Sequence, residues 1–152
     1  METRDYIDAN VIVEVLLEGR NKDICSEYLY SLVRYKDIKG LISFLALGEI
    51  TNALLKIKDL YKRNLAFDKL SNILLTTEFT GFDENTFNIA LELINMDYRL
   101  KDEPADSFHL AIAINKVMNR FITMEDKKFN QYLRDYINKN GLKIITLKRK
   151  EN

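Results

Sequence analysis

Residues 6–17 read Tyr-Ile-Asp-Ala-Asn-Val-Ile-Val-Glu-Val-Leu-Leu and contain a strand followed by a helix, a pattern that repeats along the chain. The stretch begins as a short apolar strand over residues 6–8, and residues 10–17 have the pattern of a helix that ends at Gly19. An aspartate, Asp8, stands at the junction among apolar neighbours. A carboxylate is costly to bury in such a run unless it is hydrogen-bonded, paired or bound to a cation. Asp8 is therefore the first candidate for a functional residue.

The alternation of strand and amphipathic helix continues to the end of the chain. Strands alternating with helices within one domain favour a mainly parallel sheet with helices on both faces. We therefore predict an α/β fold, a three-layer sandwich around a central sheet of about five strands. The predicted strands after the first are 41–43, 78–82, 121–123 and 143–147, and the predicted helices are 10–17, 23–35, 46–60, 65–75, 85–98, 104–118 and 128–138.

The composition is that of one folded domain. The chain has 152 residues, of which 47% are hydrophobic and 30% charged, enough to build a sizeable core. We expect a single domain over residues 1–147 and a basic tail at residues 148–152. No apolar run approaches the roughly 18–20 residues that span a bilayer, and the N-terminus does not look like a secretory signal. Cys25 is alone, which excludes a disulfide framework and a cysteine-based zinc site. These features predict a cytoplasmic protein with no membrane partner.

The charges cancel, with 23 basic and 23 acidic residues. A neutral chain has no global field that draws it to nucleic acid, which weighs against a DNA-scanning protein. It does not exclude a nuclease, because carboxylates gathered around a metal count as acidic even though cations neutralise them in use.

Four acidic residues are expected at one edge of the sheet. In open parallel sheets, ligands bind beyond the carboxyl ends of the strands. Asp8 ends the first strand, and Asp126 follows the fourth strand by a short turn. Glu49 lies in the first turns of the helix after the second strand, and Asp106 in the first turn of the helix before the fourth. Parallel strands would bring all four carboxylates to the same end.

Each acid also has an ordinary structural explanation. Asp8 could cap the next helix, Asp106 could favour the helix dipole, Glu49 could be solvated and Asp126 could occupy a turn. Four such residues at one edge favour a joint role instead. Clustered carboxylates repel one another unless a cation lies between them, and oxygen-rich sites suit Mg²⁺ or Mn²⁺. The chemistry indicated is metal-assisted phosphodiester hydrolysis, with one ion activating water and a second assisting the leaving oxygen.

The four acids lie in the segments Tyr-Ile-Asp8-Ala-Asn10-Val, Gly48-Glu49-Ile-Thr-Asn-Ala-Leu, Ala105-Asp106-Ser-Phe-His-Leu-Ala-Ile-Ala and Phe-Ile-Thr123-Met-Glu-Asp126-Lys-Lys-Phe. In this order, the segments resemble the PIN-domain family. The resemblance implies a sandwich around a parallel sheet and, in active members, a Mg²⁺- or Mn²⁺-dependent ribonuclease. It implies that Asp8, Glu49 and Asp106 form the main metal shell, with Asp126 completing the site.

Several neighbours of the acids complete this interpretation. Asn10 and Thr123 match family positions whose polar side chains orient carboxylates or water. The family motif commonly reads Thr-x-Asp, whereas here two residues separate Thr123 from Asp126, so Glu125 is an alternative fourth acid. His109, three residues after Asp106, is expected to be a packed, hydrogen-bonded residue rather than a ligand. Two lysines next to Asp126 are candidates for contact with substrate phosphate, namely Lys127 and Lys128.

The resulting prediction is a metal-dependent endoribonuclease. A small single domain of this kind is similar to the VapC-type toxins of toxin–antitoxin pairs, which implies an RNA substrate, a homodimer and an antitoxin partner. Two alternatives stay within the family: a catalytically silent module that binds RNA or protein, and a nuclease of RNA processing or decay. A third, an unrelated α/β domain such as a phosphoaspartyl receiver, fits poorly because Glu49 and Asp106 are predicted on helices.

Overall fold

The computed structural model describes residues 1–126 and 128–149 as strands and helices in alternation. A short 3-10 helix, Tyr98–Lys101, connects the fifth and sixth α-helices. In chain order the elements are β1 (Thr3–Ile7), α1 (Ala9–Leu16), α2 (Lys22–Arg34), β2 (Ile38–Ser43), α3 (Phe44–Leu55), α4 (Leu60–Leu74), β3 (Thr77–Thr80), α5 (Glu84–Met96), α6 (Pro104–Asn115), β4 (Arg120–Thr123), α7 (Gln131–Lys139) and β5 (Lys143–Thr146).

The five strands form one sheet in the order β3-β2-β1-β4-β5, and every neighbouring pair is parallel. This confirms the predicted α/β fold. The chain moves from β1 outward to β3 on one side, crosses the sheet, and then moves from β4 to β5 on the other. The strand order therefore reverses between β1 and β4, which makes the carboxyl ends of these two strands the position where such sheets bind ligands.

Helices cover both faces of the sheet, as the alternation of buried side chains requires. Tyr6 and Ile7 are neighbours on β1 and point to opposite faces. Tyr6 packs in a core with residues of α5, α6 and α7, whereas Ile7 packs in a second core with residues of α1 to α4. The three-layer arrangement is confirmed. Within the described residues, no helix is long and apolar enough to cross a membrane.

The predicted helix over residues 46–60 is wrong at its C-terminal end. In the structure α3 ends at Leu55, and Leu60 is instead the first residue of α4. Asp59 caps α4, since its side chain accepts a hydrogen bond from the Lys62 backbone N–H at 2.9 Å. The apolar spacing runs through Ile57 without a glycine or proline, so periodicity alone did not reveal the break.

Two other helix starts follow the prediction. Asp83 caps α5, accepting a hydrogen bond from the Thr86 backbone N–H at 2.8 Å, and Pro104 occupies the first turn of α6. The predicted helix over 85–98 stops earlier, at Met96, because Asp97 caps the 3-10 helix instead.

A buried ion pair joins the two central strands. The Arg120 guanidinium of β4 donates two hydrogen bonds of 2.6 Å each to the Asp5 carboxylate of β1, and the Tyr28 hydroxyl of α2 donates a third at 2.7 Å. The bonds to Asp5 raise the pKa of Arg120. Burial, and then the negative charge of Asp5, raise the pKa of Tyr28. This cluster fixes β1 against β4 on the side of α2, and sequence analysis did not anticipate it.

Candidate functional site

Asp8 lies at the carboxyl end of β1, where it immediately precedes α1. It occupies the N-cap position, yet its side chain makes no capping hydrogen bond. The carboxylate instead accepts a hydrogen bond of 2.9 Å from Thr123 Oγ1, at the end of β4. Only 6% of Asp8 is exposed. The side chain is therefore used across the reversal point of the sheet rather than as a helix cap.

Thr123 and Asn10 hold this arrangement together. Thr123 is fully buried, and its Oγ1 accepts hydrogen bonds from Asn10 Nδ2 at 3.2 Å and from the Glu125 backbone N–H at 3.3 Å. With both acceptor positions occupied, the hydroxyl hydrogen is directed to Asp8. Asn10 Oδ1 in turn accepts from the Met124 backbone N–H at 3.2 Å. The two polar residues expected beside the acids thus lie beside Asp8.

Glu49, on α3, is linked to the core through His109 of α6. The Glu49 carboxylate contacts His109 Nε2, and His109 Nδ1 contacts the Tyr6 hydroxyl. Tyr6 is also hydrogen-bonded to Ser43 Oγ at 2.7 Å. His109 is packed and hydrogen-bonded at both ring nitrogens, as expected, but one of its partners is a candidate metal ligand.

The Tyr6 hydroxyl lies within the electrostatic influence of both Asp8 and Glu49. Burial is the largest cause that raises the pKa of Tyr6; the negative charges of Asp8 and Glu49 raise it further, and the hydrogen bond with Ser43 opposes them. The hydroxyl therefore keeps its proton at any ordinary pH.

Asp106 and Asp126 line a neighbouring cleft of about 310 Å³. Glu125 lines the same cleft, so both alternatives for the fourth acid face Asp106. Lys128 is also part of its wall, whereas Lys127 lies outside the described residues. The other lining residues are Asp97, Arg99, Leu100, Asp102, Glu103 and Phe129.

Helix α6 links the cleft to Glu49, because Asp106 lines the cleft and His109, three residues further along the helix, contacts Glu49. Within residues 1–126 and 128–149, no three His, Cys, Asp or Glu side chains are placed to hold a metal ion. The donors are nevertheless carboxylate oxygens, and Mg²⁺ keeps several waters and needs only one or two carboxylates plus substrate phosphate. This donor set fits a hard divalent cation in an open site.

Sequence analysis missed the roles of Tyr6 and Ser43. Both are hydroxyl-bearing residues inside otherwise apolar strands, and a buried hydroxyl needs a partner. Ser43 also ends β2 and caps α3, accepting from the Ala46 backbone N–H at 3.0 Å. The capping signal was present in the sequence, but nothing there indicated that the same oxygen would contact Tyr6.

Fold and site together define a three-layer α/β protein with a buried aspartate, Asp8, at the reversal point of a parallel sheet. The sequence model of the PIN domain matches residues 6–134, and the chain belongs to the PIN domain family.

Solved structures share the fold at low sequence identity. FitAcB from Neisseria gonorrhoeae is 18% identical with a TM-score of 0.67, covering 93% of this chain and 96% of that one. DNA-bound VapBC2 from Rickettsia felis is 17% identical with a TM-score of 0.68, covering 96% and 100%. DNA-bound VapBC from Salmonella typhimurium is 12% identical with a TM-score of 0.62, covering 95% and 98%. Among curated proteins, no sequence matches this chain.

Proposed function

We propose that this protein is a divalent-metal-dependent endoribonuclease whose acidic residues are Asp8, Glu49, Asp106 and Asp126. Membership of the PIN domain family supports a nuclease. The observation that carries the proposal is the buried Asp8 carboxylate, which Thr123 of the neighbouring strand orients at the reversal point of the sheet.

Each group in the site has a distinct task. Asp8, Glu49 and Asp106 would hold Mg²⁺ or Mn²⁺, with Asp126 completing the site. Bound divalent ions supply charge neutralisation and activation of water for phosphodiester hydrolysis. Thr123 and Asn10 restrain Asp8, and the cleft beside Asp106 admits the substrate. Lys128 lies on the wall of that cleft and would contact a phosphate of the RNA.

Cleavage of a mixed structured RNA in Mg²⁺ or Mn²⁺ tests this function. Asp8→Asn and Asp106→Asn each keep the side-chain shape and remove one carboxylate charge from the proposed site, so we expect each to lower cleavage by about 100-fold or more. Asp68→Asn is the matched control, since Asp68 is exposed on α4. EDTA should abolish the wild-type activity. Cleavage that persists in both site variants, or that ignores EDTA, would exclude the proposed site.

We further propose that the protein is the toxin of a VapBC-type pair and works as a homodimer. The likeness to VapBC and FitAcB structures across nearly the whole chain supports a protein partner, the antitoxin. So do two grooves with apolar side chains along α1, α2 and α4, because exposed apolar patches mark interaction surfaces. The exposed apolar residues of these grooves include Leu17, Tyr30, Val33, Tyr61 and Leu65.

The partner is tested by purifying the chain together with the protein encoded beside it. A short neighbouring protein with a DNA-binding N-terminus should co-purify and inhibit cleavage. Val33→Asp places a charge in the apolar groove and should weaken this complex, whereas Asp68→Asn should not. Absence of any such neighbour, or a complex unaffected by Val33→Asp, argues against the pair or against this surface.

A further inference from the structure

We propose that His109 is a positioning residue: it holds the Glu49 carboxylate in place for a divalent cation through a buried chain of hydrogen bonds that starts at Ser43. The inference rests on the proposed function, because it takes Glu49 to be a metal ligand. It assigns His109 a task that its family position as a packed residue does not.

The chain of hydrogen bonds connects four elements in one line. Ser43 at the end of β2 contacts Tyr6 of β1, Tyr6 contacts His109 of α6, and His109 contacts Glu49 of α3. Ser43, Tyr6 and His109 are all buried. Glu49 is the one exposed member, with 44% of its side chain accessible. The line therefore runs from the core outward and ends on the candidate metal ligand.

The donors and acceptors fix the direction of every hydrogen in this line. An ionised Glu49 can only accept, so His109 Nε2 carries the hydrogen between them. In a neutral imidazole, Nδ1 is then an acceptor, and Tyr6 must donate to it. The Tyr6 oxygen is left to accept from Ser43, whose own oxygen accepts from the Ala46 backbone N–H at 3.0 Å. Each hydrogen has one acceptor, and the ionised Glu49 carboxylate selects the Nε2–H tautomer.

This arrangement gives Glu49 a fixed orientation, which a glutamate on a helix surface otherwise lacks. A half-exposed Glu49 has several rotamers, and ordering it costs conformational entropy. His109 cannot follow such movement, because its Tyr6 partner is stacked on Phe121 with ring centroids 5.2 Å apart. The fixed Nε2–H engages Oε1 of Glu49 and leaves Oε2 for a cation. The same logic orients ligands in established metal sites, where loss of such a partner weakens metal affinity about 10–100-fold.

Two amide substitutions distinguish the contact of His109 Nε2 with Glu49 from the contact of Nδ1 with Tyr6. In His109→Gln the amide nitrogen can occupy the place of Nε2 and donate to Glu49, while the contact with Tyr6 is lost. In His109→Asn the amide can occupy the place of Nδ1 and keep Tyr6, while Glu49 loses its donor. We expect His109→Asn and Glu49→Gln each to weaken Mn²⁺ binding about 10–100-fold, and His109→Gln to stay within about threefold of wild type.

Mn²⁺ affinity is measured on the full-length, tag-free protein by calorimetry or by the paramagnetic resonance of free Mn²⁺, with thermal unfolding of each variant as the check on folding. Wild type that binds Mn²⁺ alongside a folded His109→Asn that binds equally well overturns this inference alone. Equal losses in the Asn and Gln variants also overturn it, because they indicate a merely structural histidine. Wild type that binds no Mn²⁺ at millimolar concentration removes the proposed function as well.

A second measurement uses only the wild-type protein and therefore does not require any variant to fold. His109 is the only histidine, so the imidazole ¹⁵N spectrum of the wild-type protein contains one ring. At a pH well above the ordinary imidazole value of about 6.5, the nitrogen shifts should identify the Nε2–H tautomer. Addition of Mg²⁺ should shift the Nε2 signal more than the Nδ1 signal. The opposite tautomer, or an Nε2 signal that ignores Mg²⁺, overturns the inference.

Discussion

Thr123 takes part in three hydrogen bonds, and its hydroxyl is saturated as a result. It accepts from Asn10 and from the Glu125 backbone, and it donates to Asp8. A saturated hydroxyl in a buried position cannot rotate without breaking a bond, so the acceptor it faces is held in one orientation. The orientation of Asp8 therefore depends on a residue that never needs to touch substrate.

Thr123→Val tests that dependence because valine keeps the shape and removes the hydroxyl. Three groups lose one hydrogen bond each, so we expect a loss of about 2 kcal/mol in the free energy of unfolding and a fall in kcat/KM of about 10–100-fold. Thr123→Ser keeps the hydroxyl and should retain most of the activity. Urea unfolding and cleavage kinetics measure the two effects. A valine variant as active as wild type would show that Asp8 needs no fixed orientation.

At the level of single residues, the sequence located candidate acids more readily than it indicated their contacts. Asp8 stood out because an apolar run surrounds a carboxylate, and Asp106 because it follows the proline that starts a helix. The contacts of Glu49 were not predictable in the same way. They depend on how α6 packs toward α3 across sixty residues of sequence, and periodicity specifies which face of a helix is buried but not what that face meets.

The segment between α5 and α6 is shaped by Asp97, which forms part of the cleft wall. Its buried carboxylate accepts hydrogen bonds from Arg99 Nε at 2.9 Å and Nη2 at 2.7 Å, and from the Asn130 backbone N–H at 2.9 Å. Asn130 in turn caps α7. The hydrogen bonds with Arg99, supported by that of Asn130, lower the pKa of Asp97 to about 2. One carboxylate thus ties the 3-10 helix to the start of α7.

A lowered pKa in the folded state predicts how stability depends on pH. The contribution of Asp97 is complete above its ordinary value near 3.8 and is lost as pH falls toward 2, and its size is about 2 kcal/mol. Asp97→Asn should lower the free energy of unfolding by about that amount at pH 7 and should remove part of the acid dependence. Urea unfolding between pH 7 and pH 2.5 measures both. Asp68→Asn is the control, and an Asp97→Asn curve parallel to wild type contradicts the assignment.

The central strands β1 and β4 are held by the Asp5–Arg120 pair as well as by their backbone ladder. Removing one partner of a buried pair leaves the other charge without its counter-charge, so Arg120→Met should lower the free energy of unfolding by about 3 kcal/mol. The double variant Asp5→Asn, Arg120→Met removes both charges and should lower the free energy of unfolding by less than the single variant does. Thermal unfolding compares them. A double variant less stable than Arg120→Met would mean that the charge of Asp5 is not what the arginine compensates.

At the level of elements, caps were predicted where the residue type is unambiguous and missed where it is not. Asp83 and Pro104 mark their helices correctly, since both have few other uses at such positions. Asp59 starts α4 in the middle of a continuous apolar pattern, and no glycine or proline interrupts that pattern, so α3 and α4 were divided at the wrong place. Neither the capping residues nor the apolar spacing specifies the order of the strands. That order follows from how the crossover from β3 to β4 spans the sheet, and Thr123 lies next to Asp8 only because that crossover places β4 beside β1.

For the molecule as a whole, a net charge of zero limits how a single copy can hold RNA. A second copy would extend the surface around the site without changing the charge balance. The structure has an exposed aromatic face beside α3 that suits this role. It includes stacked rings of Phe44 and Phe79, 6.0 Å apart, and the neighbouring rings of Phe82 and Phe87, 6.4 Å apart. Phe79 lies on β3, an edge strand, where an uncovered aromatic side chain favours association with another chain.

Light scattering on the full-length protein tests this arrangement. Wild type should have a mass near twice 17.8 kDa at micromolar concentration. Phe79→Thr keeps the preference for strand structure and removes the exposed ring, so it should shift the equilibrium to the monomer and weaken RNA cleavage while Mn²⁺ affinity is unchanged. Leu75→Thr is the matched control, because Leu75 is more exposed than Phe79 but does not belong to the aromatic face. A wild-type monomer would exclude the homodimer. A dimer that survives Phe79→Thr would place the interface elsewhere, and unaltered cleavage by a monomeric variant would show that one copy holds the RNA alone.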